Sequence, residues 1–169
     1  GFEQYKNVDI SLGLNASYDD LKTENSASSS LKKQEGEFAE FSGSYSFSFD
    51  QRNRAFMPTS GSLITFSQAL PIYADKNFIA NTFSSSFYKS INEDVVTSSK
   101  LFLSAINGIG DDDVRLNKRR SLSEKRLRGF ERGKVGPVDG NDHIGGNYAA
   151  ALNFEASLPN LLPDNTNAD

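Results

Sequence analysis

The triplet Arg128-Gly129-Phe130 contains the residue types of this chain that are best suited to a specific contact. An arginine fork can bind a carboxylate through two parallel hydrogen bonds, and a glycine permits a tight turn. Taken alone, the triplet is equally compatible with an ordinary solvated loop. Its position favours a more specific interpretation, because the long polar stretch around it lies between two segments that alternate apolar and polar residues.

The other groups that could do chemistry form no recognisable site. His143 is the only histidine, and it stands beside Asp142 without the partners that nucleophilic catalysis needs. The run Asp111-Asp112-Asp113 lacks the ligand spacing of a cation site, which favours a solvated start of a loop. The chain has no cysteine, which excludes thiolate metal sites and disulfides. The sequence therefore predicts no enzyme activity, no metal and no cofactor.

Residues 40–50 show the clearest alternation of side-chain types. Phe41, Tyr45, Phe47 and Phe49 share one parity, and serines occupy most of the other. Because successive side chains of a strand point to opposite faces, one face is aromatic and the other hydroxylic, which suits lipid outside and a polar lumen inside. The same pattern, with varying regularity, predicts six strands at 8–17, 40–50, 61–70, 78–91, 95–109 and 147–158.

The composition is compatible with a membrane barrel and argues against other classes. The hydrophobic fraction is 37% and the mean hydropathy is −0.51. No run approaches the ~18 apolar residues of a transmembrane helix, whereas barrel strands place apolar residues only at every second position. The net charge of −4 argues against a nucleic-acid partner. The stretch 115–134 is basic, but Phe130 is its only aromatic residue. Base stacking needs several aromatic residues, so this stretch does not favour a nucleic-acid partner either.

The number of strands and the lengths of their connections predict the topology. Six strands cannot close a barrel, and an open sheet would leave two unpaired edges in lipid. The predicted fold class is therefore all-β, an antiparallel transmembrane β-barrel, with residues 1–169 as a partial barrel domain of a longer protein. By parity, the connections 19–39, 71–77 and 111–146 lie on one side of the membrane, and 51–60 and 92–94 lie on the other.

Two motifs give the chain a family resemblance. The first consists of Arg128-Gly129-Phe130 followed by Gly136-Pro137 and Gly145-Gly146-Asn147. It resembles the Arg-Gly-aromatic signature, the long sixth extracellular loop and the following strand of the outer-membrane assembly factors, the BamA-type insertases. The second motif consists of Arg54, Phe56, Pro58, Thr59 and Gly61. It resembles the Arg-x-Phe-x-Pro-Thr-x-Gly pattern of a periplasmic turn in that family.

The resemblance implies a structure for the loop around Arg128. The loop folds back into the barrel lumen, where the Arg128 guanidinium meets acidic residues of the inner wall. Gly129 then permits a tight turn or a close approach to the wall, and Phe130 packs the tip against inner-wall side chains. A buried guanidinium needs a carboxylate. Glu155 is the candidate partner because it has the inward parity of the strand after the loop, although a generic lumen carboxylate is the alternative.

The turn motif is predicted to be structural. Pro58 fixes φ and Gly61 permits a positive φ. Arg54 is expected to pair locally with a carboxylate or a carbonyl group. A direct role in contacting periplasmic components is the alternative. The resemblance further implies a barrel of 16 strands, a second lumen acid on the strand after this chain, and periplasmic POTRA domains outside it.

The resemblance implies that the parent protein folds and inserts other β-barrel proteins into the outer membrane without ATP. Its implied partners are unfolded outer-membrane protein clients, assembly-machinery lipoproteins, and outer-membrane lipid or lipopolysaccharide, and its implied location is the outer membrane of a Gram-negative cell. Most charges of the stretch 115–134 are expected to be solvated. Three alternatives stay open: a translocation-assembly or two-partner-secretion transporter, a passive porin-like or ligand-gated channel, and a soluble β-sandwich binding module.

Overall fold

Six long strands and two short ones make up about half of the chain, in a computed structural model that describes residues 6–131 and 133–157. One helical turn, α1 (Ser29–Lys32), follows the first strand, and a 3-10 turn spans Leu116–Lys118. No helix within the described residues is long and apolar enough to cross a membrane. The strands are β1 (Val8–Leu21), β2 (Gly36–Asp50), β3 (Ser60–Ala74), β4 (Phe78–Ser90), β5 (Val96–Gly108), β6 (Val138–Asp139), β7 (Asp142–His143) and β8 (Tyr148–Ser157).

The six long strands form one antiparallel sheet in the order β1-β2-β3-β4-β5-β8, and β6 and β7 form a separate small hairpin. Each long strand pairs with the long strand that follows it in the chain. Within the described residues, β1 and β8 each pair along one edge only. The predicted all-β antiparallel class and the six predicted strands are confirmed.

One face of the sheet is apolar. Across the strands, consecutive partners in register include Ile10, Phe47, Phe66, Phe83 and Leu103. Large side chains of this face are widely exposed, and Leu12 reaches 83% exposure. A contiguous exposed apolar surface of this kind is typical of a protein that contacts lipid.

The opposite face is polar along the middle of the strands and carries a small core near the end where the long connection begins. One row of consecutive partners consists entirely of hydroxyl residues: Ser11, Ser46, Ser67, Thr82 and Ser104. The core consists of Phe78, Ala80 and Ile106 from the sheet and Val114 from the connection between β5 and β8. Because Val114 packs on this face, the long connection covers the polar face of the sheet, which we call the inner face.

The strands extend beyond the predicted segments because backbone pairing continues after the alternation of side chains ends. Residues 18–21 still pair with residues 36–39, so the predicted connection 19–39 shortens to 22–35. The long connection runs from 109 to 147 rather than from 111 to 146. The predicted strand 147–158 is observed over Tyr148–Ser157, and Leu158 lies outside the described residues.

The placement of Pro71 in a connection was wrong. Pro71 lies inside β3 and faces Ser42, while Tyr73 faces Phe41, so that Ile72 forms a bulge between them. Proline lacks a backbone N–H and is tolerated in sheets at bulges and edges. The connection predicted at 71–77 is therefore only 75–77.

Candidate functional site

The candidate site is the connection between β5 and β8, residues 109–147, which we call the long loop. Its frame depends on the glycines and the proline of the first sequence motif. The backbone N–H of Arg120 donates to the Gly146 carbonyl at 2.7 Å, and the Gly146 N–H donates to the Arg120 carbonyl at 3.0 Å. Asn147 then continues the chain into the sheet, since its carbonyl accepts the Ile106 N–H at 2.8 Å. These bonds hold the first and last parts of the loop together over the inner face.

Three further residues of the first motif, two glycines and a proline, stabilise the backbone of the long loop. Gly145 has a φ of +65°, and an added Cβ would lie 3.2 Å from the Arg120 carbonyl oxygen. Gly136 has a φ of +133°. The Pro137 carbonyl accepts the Ile144 N–H at 3.1 Å, which helps close the β6–β7 hairpin. The structure thus brings Gly136, Pro137, Gly145, Gly146 and Asn147 together as scaffold residues.

Cations in the first part of the long loop pair with carboxylates of the sheet. The Arg115 side chain is only 8% exposed, with Nη1 3.0 Å from an Asp19 carboxylate oxygen of β1. Lys118 Nζ lies 2.6 Å from Glu40 of β2, whose side chain is also 8% exposed. Buried charges are costly unless they are paired. Arg115 and Lys118 are therefore exceptions to the expectation that most charges of the stretch 115–134 are solvated.

The β6–β7 hairpin joins the long loop to the connection between β1 and β2. Asp139 accepts the Ser30 N–H and Asp142 accepts the Ser28 N–H, each at 2.9 Å. The hydrogen bonds from Ser30 hold the pKa of Asp139 below its usual range. The two connections therefore form one interlinked cap at this end of the sheet.

Arg126 makes the firmest contact between the tip of the loop and the inner wall. Its guanidinium carbon lies 3.6 Å from the centre of the Phe102 ring of β5. Its carbonyl oxygen accepts a 2.9 Å hydrogen bond from the Asn153 amide of β8. A guanidinium stacked on a ring is worth about 0.5–2 kcal/mol, depending on solvent exposure. Together the two contacts fix the tip across the β5–β8 pair.

Arg128 and Glu155 lie together, but their contact is exposed and Glu155 has a second cation. Arg128 Nη2 is 3.2 Å from Glu155 Oε1, and the Arg128 side chain is 77% exposed. Lys100 of β5 approaches the other carboxylate oxygen, with Nζ 2.5 Å from Oε2. Glu155 is 27% exposed and Lys100 37% exposed. The expected buried guanidinium with a bidentate pair is not observed, and Lys100 is the closer partner of Glu155.

Gly129 and Phe130 differ in part from what the resemblance implied. Gly129 has a φ of +84°, which suits the tight turn. An added Cβ at Gly129 would meet nothing within 4 Å, so the glycine does not serve a close approach to the described wall. Phe130 is 55% exposed rather than packed against the inner wall. These two residues form the solvated outer part of the tip.

The second motif folds as a compact turn between β2 and β3. Arg54 Nε donates to the Met57 carbonyl at 2.6 Å, which is the kind of local pairing expected for Arg54. Asn53 holds the other side of the turn, since its amide oxygen accepts the backbone N–H groups of Thr59 and Ser60 and its amide nitrogen donates to the Thr59 hydroxyl. Pro58 follows Met57, which has a φ of +48°.

Gly61 and Phe56 complete the turn. Gly61 has a φ of +96°, and a Cβ there would lie 2.1 Å from the Gln51 carbonyl oxygen, so no larger residue fits. Phe56 is 81% exposed, which leaves its ring available to solvent or to another component.

The two sequence motifs border the same cavity, although they lie in different connections. The cavity has a volume of about 310 Å³ and is lined by residues of the turn, of β4, β5 and β8, and of the loop tip. Its charged lining consists of Arg54, Lys100, Arg128 and Glu155. Three cations and one carboxylate give this cavity a net positive charge. The fold therefore joins features that were recognised separately in the sequence.

Among the remaining candidates for chemistry, Asp112 has structural partners. Asp112 accepts the Asn77 N–H at 2.9 Å and pairs with Lys76 at 3.1 Å, and these contacts hold the pKa of Asp112 below its usual range. His143 lies in β7. Within residues 6–131 and 133–157, no group of three or more His, Cys, Asp or Glu side chains is arranged to hold a metal ion.

Sequence reasoning did not assign several of the contacts that the site uses. Lys100 and Glu155 both have inward parity on strands that prove to be neighbours, and this signal could have paired them. The interactions of Arg126, Arg115 and Glu40 had no comparable signal, because the loop's path over the inner face decides which cation meets which partner.

Comparison with known proteins gives a consistent result. The sequence model of the Omp85 superfamily domain matches residues 1–168. Sorting and assembly machinery component 50 homolog A of Xenopus laevis is 28% identical over 138 residues, which are 79% of this chain and 30% of that protein. A SAM50-like protein of Schizosaccharomyces pombe is 28% identical over 144 residues, which are 81% of this chain and 30% of that protein.

The fold has a counterpart among solved structures. The crystal structure of BamA from Haemophilus ducreyi lacking POTRA domains 1–3 matches with a TM-score of 0.83 and 23% identity, over 97% of this chain and 37% of that chain. This chain thus spans about a third of the length of these relatives. The resemblance inferred from the two motifs is confirmed, and the chain belongs to the Omp85 superfamily.

Proposed function

We propose that this chain is the wall and inward loop of an outer-membrane insertase, which folds other β-barrel proteins and inserts them into the membrane. In this proposal residues 1–169 are a partial barrel domain, and further strands and POTRA domains belong to the rest of the protein. In this proposal the activity needs no cofactor or ATP, because client binding and strand pairing promote insertion and no covalent reaction takes place. A client strand adds to an exposed sheet edge through main-chain hydrogen bonds.

The observation that carries the proposal is the docking of the long loop on the inner wall. Arg126 stacks on Phe102, Asn153 holds the Arg126 carbonyl, and Arg128 reaches Glu155. A loop fixed across the inner face suits a barrel wall that must keep a defined shape while a client strand adds to a sheet edge elsewhere.

A transporter that exports or assembles translocated proteins is the second candidate, since it shares the Arg-Gly-aromatic loop. The names of the two sequence relatives, a sorting and assembly machinery component and a SAM50-like protein, favour assembly. A soluble β-sandwich module is disfavoured by the exposed apolar face, on which Leu14 and Phe154 are 74% and 75% exposed.

We assign roles to the motif residues within this proposal. Arg126 anchors the loop, and Arg128 forms a weaker contact that can separate from Glu155. The proposed partners are unfolded outer-membrane protein clients, assembly lipoproteins, and lipid or lipopolysaccharide at the membrane surface. The exposed Phe56 of the turn is the proposed contact for components outside the barrel. The proposed location is the cell outer membrane.

The test is depletion of the full-length protein in its host, followed by rescue with variants. Depletion should lower the amounts of several unrelated folded outer-membrane barrels, measured by heat-modifiable mobility on gels. Arg126→Ala should rescue poorly. The matched control, Lys125→Ala, should rescue fully, because Lys125 is an exposed neighbouring cation. Loss of a single exported protein would favour the transporter, and a change in permeability alone would favour the channel.

A further inference from the structure

A second cavity of about 340 Å³ lies between the inner wall and the first part of the long loop. Its lining includes hydroxyl residues from four strands, apolar residues such as Leu12 and Ala80, and one charged residue, Arg120; the hydroxyl residues are Ser11, Ser44, Ser46, Ser67 and Thr82. A water molecule occupies about 30 Å³ in the liquid, so the cavity has room for a carboxylate or a phosphate together with several waters.

Arg120 is held in place at this cavity by its backbone. Its N–H and carbonyl groups both bond to Gly146, at 2.7 and 3.0 Å. The Nε atom of the side chain is buried and has no hydrogen-bond partner within the described residues. A fixed backbone and a buried, unpaired donor indicate that the side chain is arranged for a group that these residues do not supply.

The neighbouring cations make Arg120 an exception. Arg115, Lys118 and Arg119 each have a carboxylate oxygen within 3.5 Å, from Asp19, Glu40 and Asp113 respectively. None of the ion pairs within the described residues includes Arg120. The one cation of this segment that borders the cavity is therefore the one without an acid.

The charge of Arg120 makes this arrangement costly without an anion. Burial lowers the pKa of Arg120 from its ordinary value, but a guanidinium stays protonated in proteins. The group cannot escape the cost of burial by losing its proton. Charged groups in such surroundings are normally paired.

We propose that Arg120 and the surrounding hydroxyl groups form a binding site for an oxyanion inside the barrel. Two sources have this chemistry: a side-chain carboxylate from a part of the protein beyond these residues, or a small soluble anion such as phosphate. The hydroxyl groups of Ser46 and Ser67, which line the cavity, can donate to the oxygens that the guanidinium does not reach. The proposal is independent of the insertase activity, because it concerns a lumen contact whose readout is stability.

The experiment measures the heat denaturation of the full-length protein in detergent, for the wild type and for Arg120→Met. Methionine keeps an apolar stem and removes the charge. If an internal carboxylate fills the site, Arg120→Met leaves that carboxylate unpaired; if a soluble anion fills it, the variant loses the bound anion. In either case the denaturation midpoint of the variant should lie at least about 6 °C below that of the wild type. The control Arg119→Met should shift it little, because the Asp113 partner is 75% exposed.

Added phosphate separates the two sources. A soluble anion predicts that phosphate, at constant ionic strength against chloride, raises the midpoint of the wild type but not that of Arg120→Met. An internal carboxylate predicts the large fall in Arg120→Met with no response to phosphate.

The proposal is overturned if Arg120→Met is as stable as the wild type or more stable and phosphate has no effect, because an unpaired guanidinium destabilises. If Arg120→Met fails to fold, Arg120→Lys decides. If Arg120→Lys folds, the site requires a positive charge, which supports the proposal. If Arg120→Lys also fails to fold, a positive charge is not what the site requires, and the proposal is overturned.

Discussion

The two cations on Glu155 should contribute unequally to stability, and Lys100 should matter more than Arg128. Arg128 is 77% exposed and makes one contact at 3.2 Å, and exposed ion pairs are worth about 0.2–1 kcal/mol. Lys100 is 37% exposed and approaches to 2.5 Å. A hydrogen bond to a charged group in such a site is worth about 1.5–3 kcal/mol. Lys100→Met should therefore lower the free energy of unfolding more than Arg128→Ala does.

The double variant gives a sharper test, because each cation can compensate for the loss of the other. Removing both leaves the Glu155 carboxylate without a partner, so the combined loss should exceed the sum of the single losses by about 0.5 kcal/mol or more. In a Glu155→Gln background both single effects should largely disappear. The assay is denaturant unfolding of the full-length barrel in micelles, followed by circular dichroism or gel mobility.

Lys125→Ala is the control for the loss of a loop cation, and it should stay within about 0.5 kcal/mol of the wild type. A larger cost for Arg128→Ala than for Lys100→Met would refute the reasoning, since it would make the exposed contact the principal one. Strict additivity of the two substitutions would also contradict it.

Three further predictions follow from the connections. Gly61→Ala should lower the free energy of unfolding by about 2 kcal/mol or more, because its Cβ would meet a backbone carbonyl 2.1 Å away. Gly110→Ala is the control: Gly110 has a positive φ but open surroundings, so this change should cost about 1 kcal/mol. The denaturant midpoints of the two variants give the comparison. Arg128→Cys together with Glu155→Cys, in a background without other cysteines, leaves the Arg126 contacts in place and should be joined by a short bifunctional reagent in intact membranes. A pair that never reacts would contradict a docked loop. The Asn77 N–H and Lys76 hold the pKa of Asp112 below its ordinary value. Its contribution to stability is therefore present above about pH 4 and is lost as the pH falls through the lowered folded pKa. Asp112→Asn should weaken the pH dependence of the thermal midpoint below about pH 4, and an unchanged profile would count against the Asp112 contacts.

The sequence predicted the sheet well because lipid contact imposes a period of two on each strand. The alternation in residues 40–50 marks the part of β2 with an aromatic face, but it does not mark where backbone pairing stops. The hairpin of β1 and β2 therefore continues to Leu21 and Gly36. The end of β3 was predicted too early because proline usually ends a strand. At Pro71 a bulge allows the strand to continue through a residue that lacks a backbone N–H.

The site was predicted only in part, for a different physical reason. Arg128 and Glu155 could be named because one lies in a recognisable motif and the other has inward parity. The firmer contact through Arg126, and the second cation at Glu155, depend on the path of the long loop across β5 and β8. No local pattern encodes that path, since it is set by distant contacts such as those of Arg120 with Gly146 and of Val114 with Ile106.

The proposed assembly of other β-barrels by the full-length protein is tested most directly by reconstitution. The purified protein in liposomes should speed the folding of a urea-unfolded barrel client without ATP, measured by the appearance of its heat-modifiable, protease-resistant form. Arg126→Ala should reduce this rate and Lys125→Ala should not. Client folding at the rate seen in empty liposomes, with a correctly folded full-length protein present, would contradict the account.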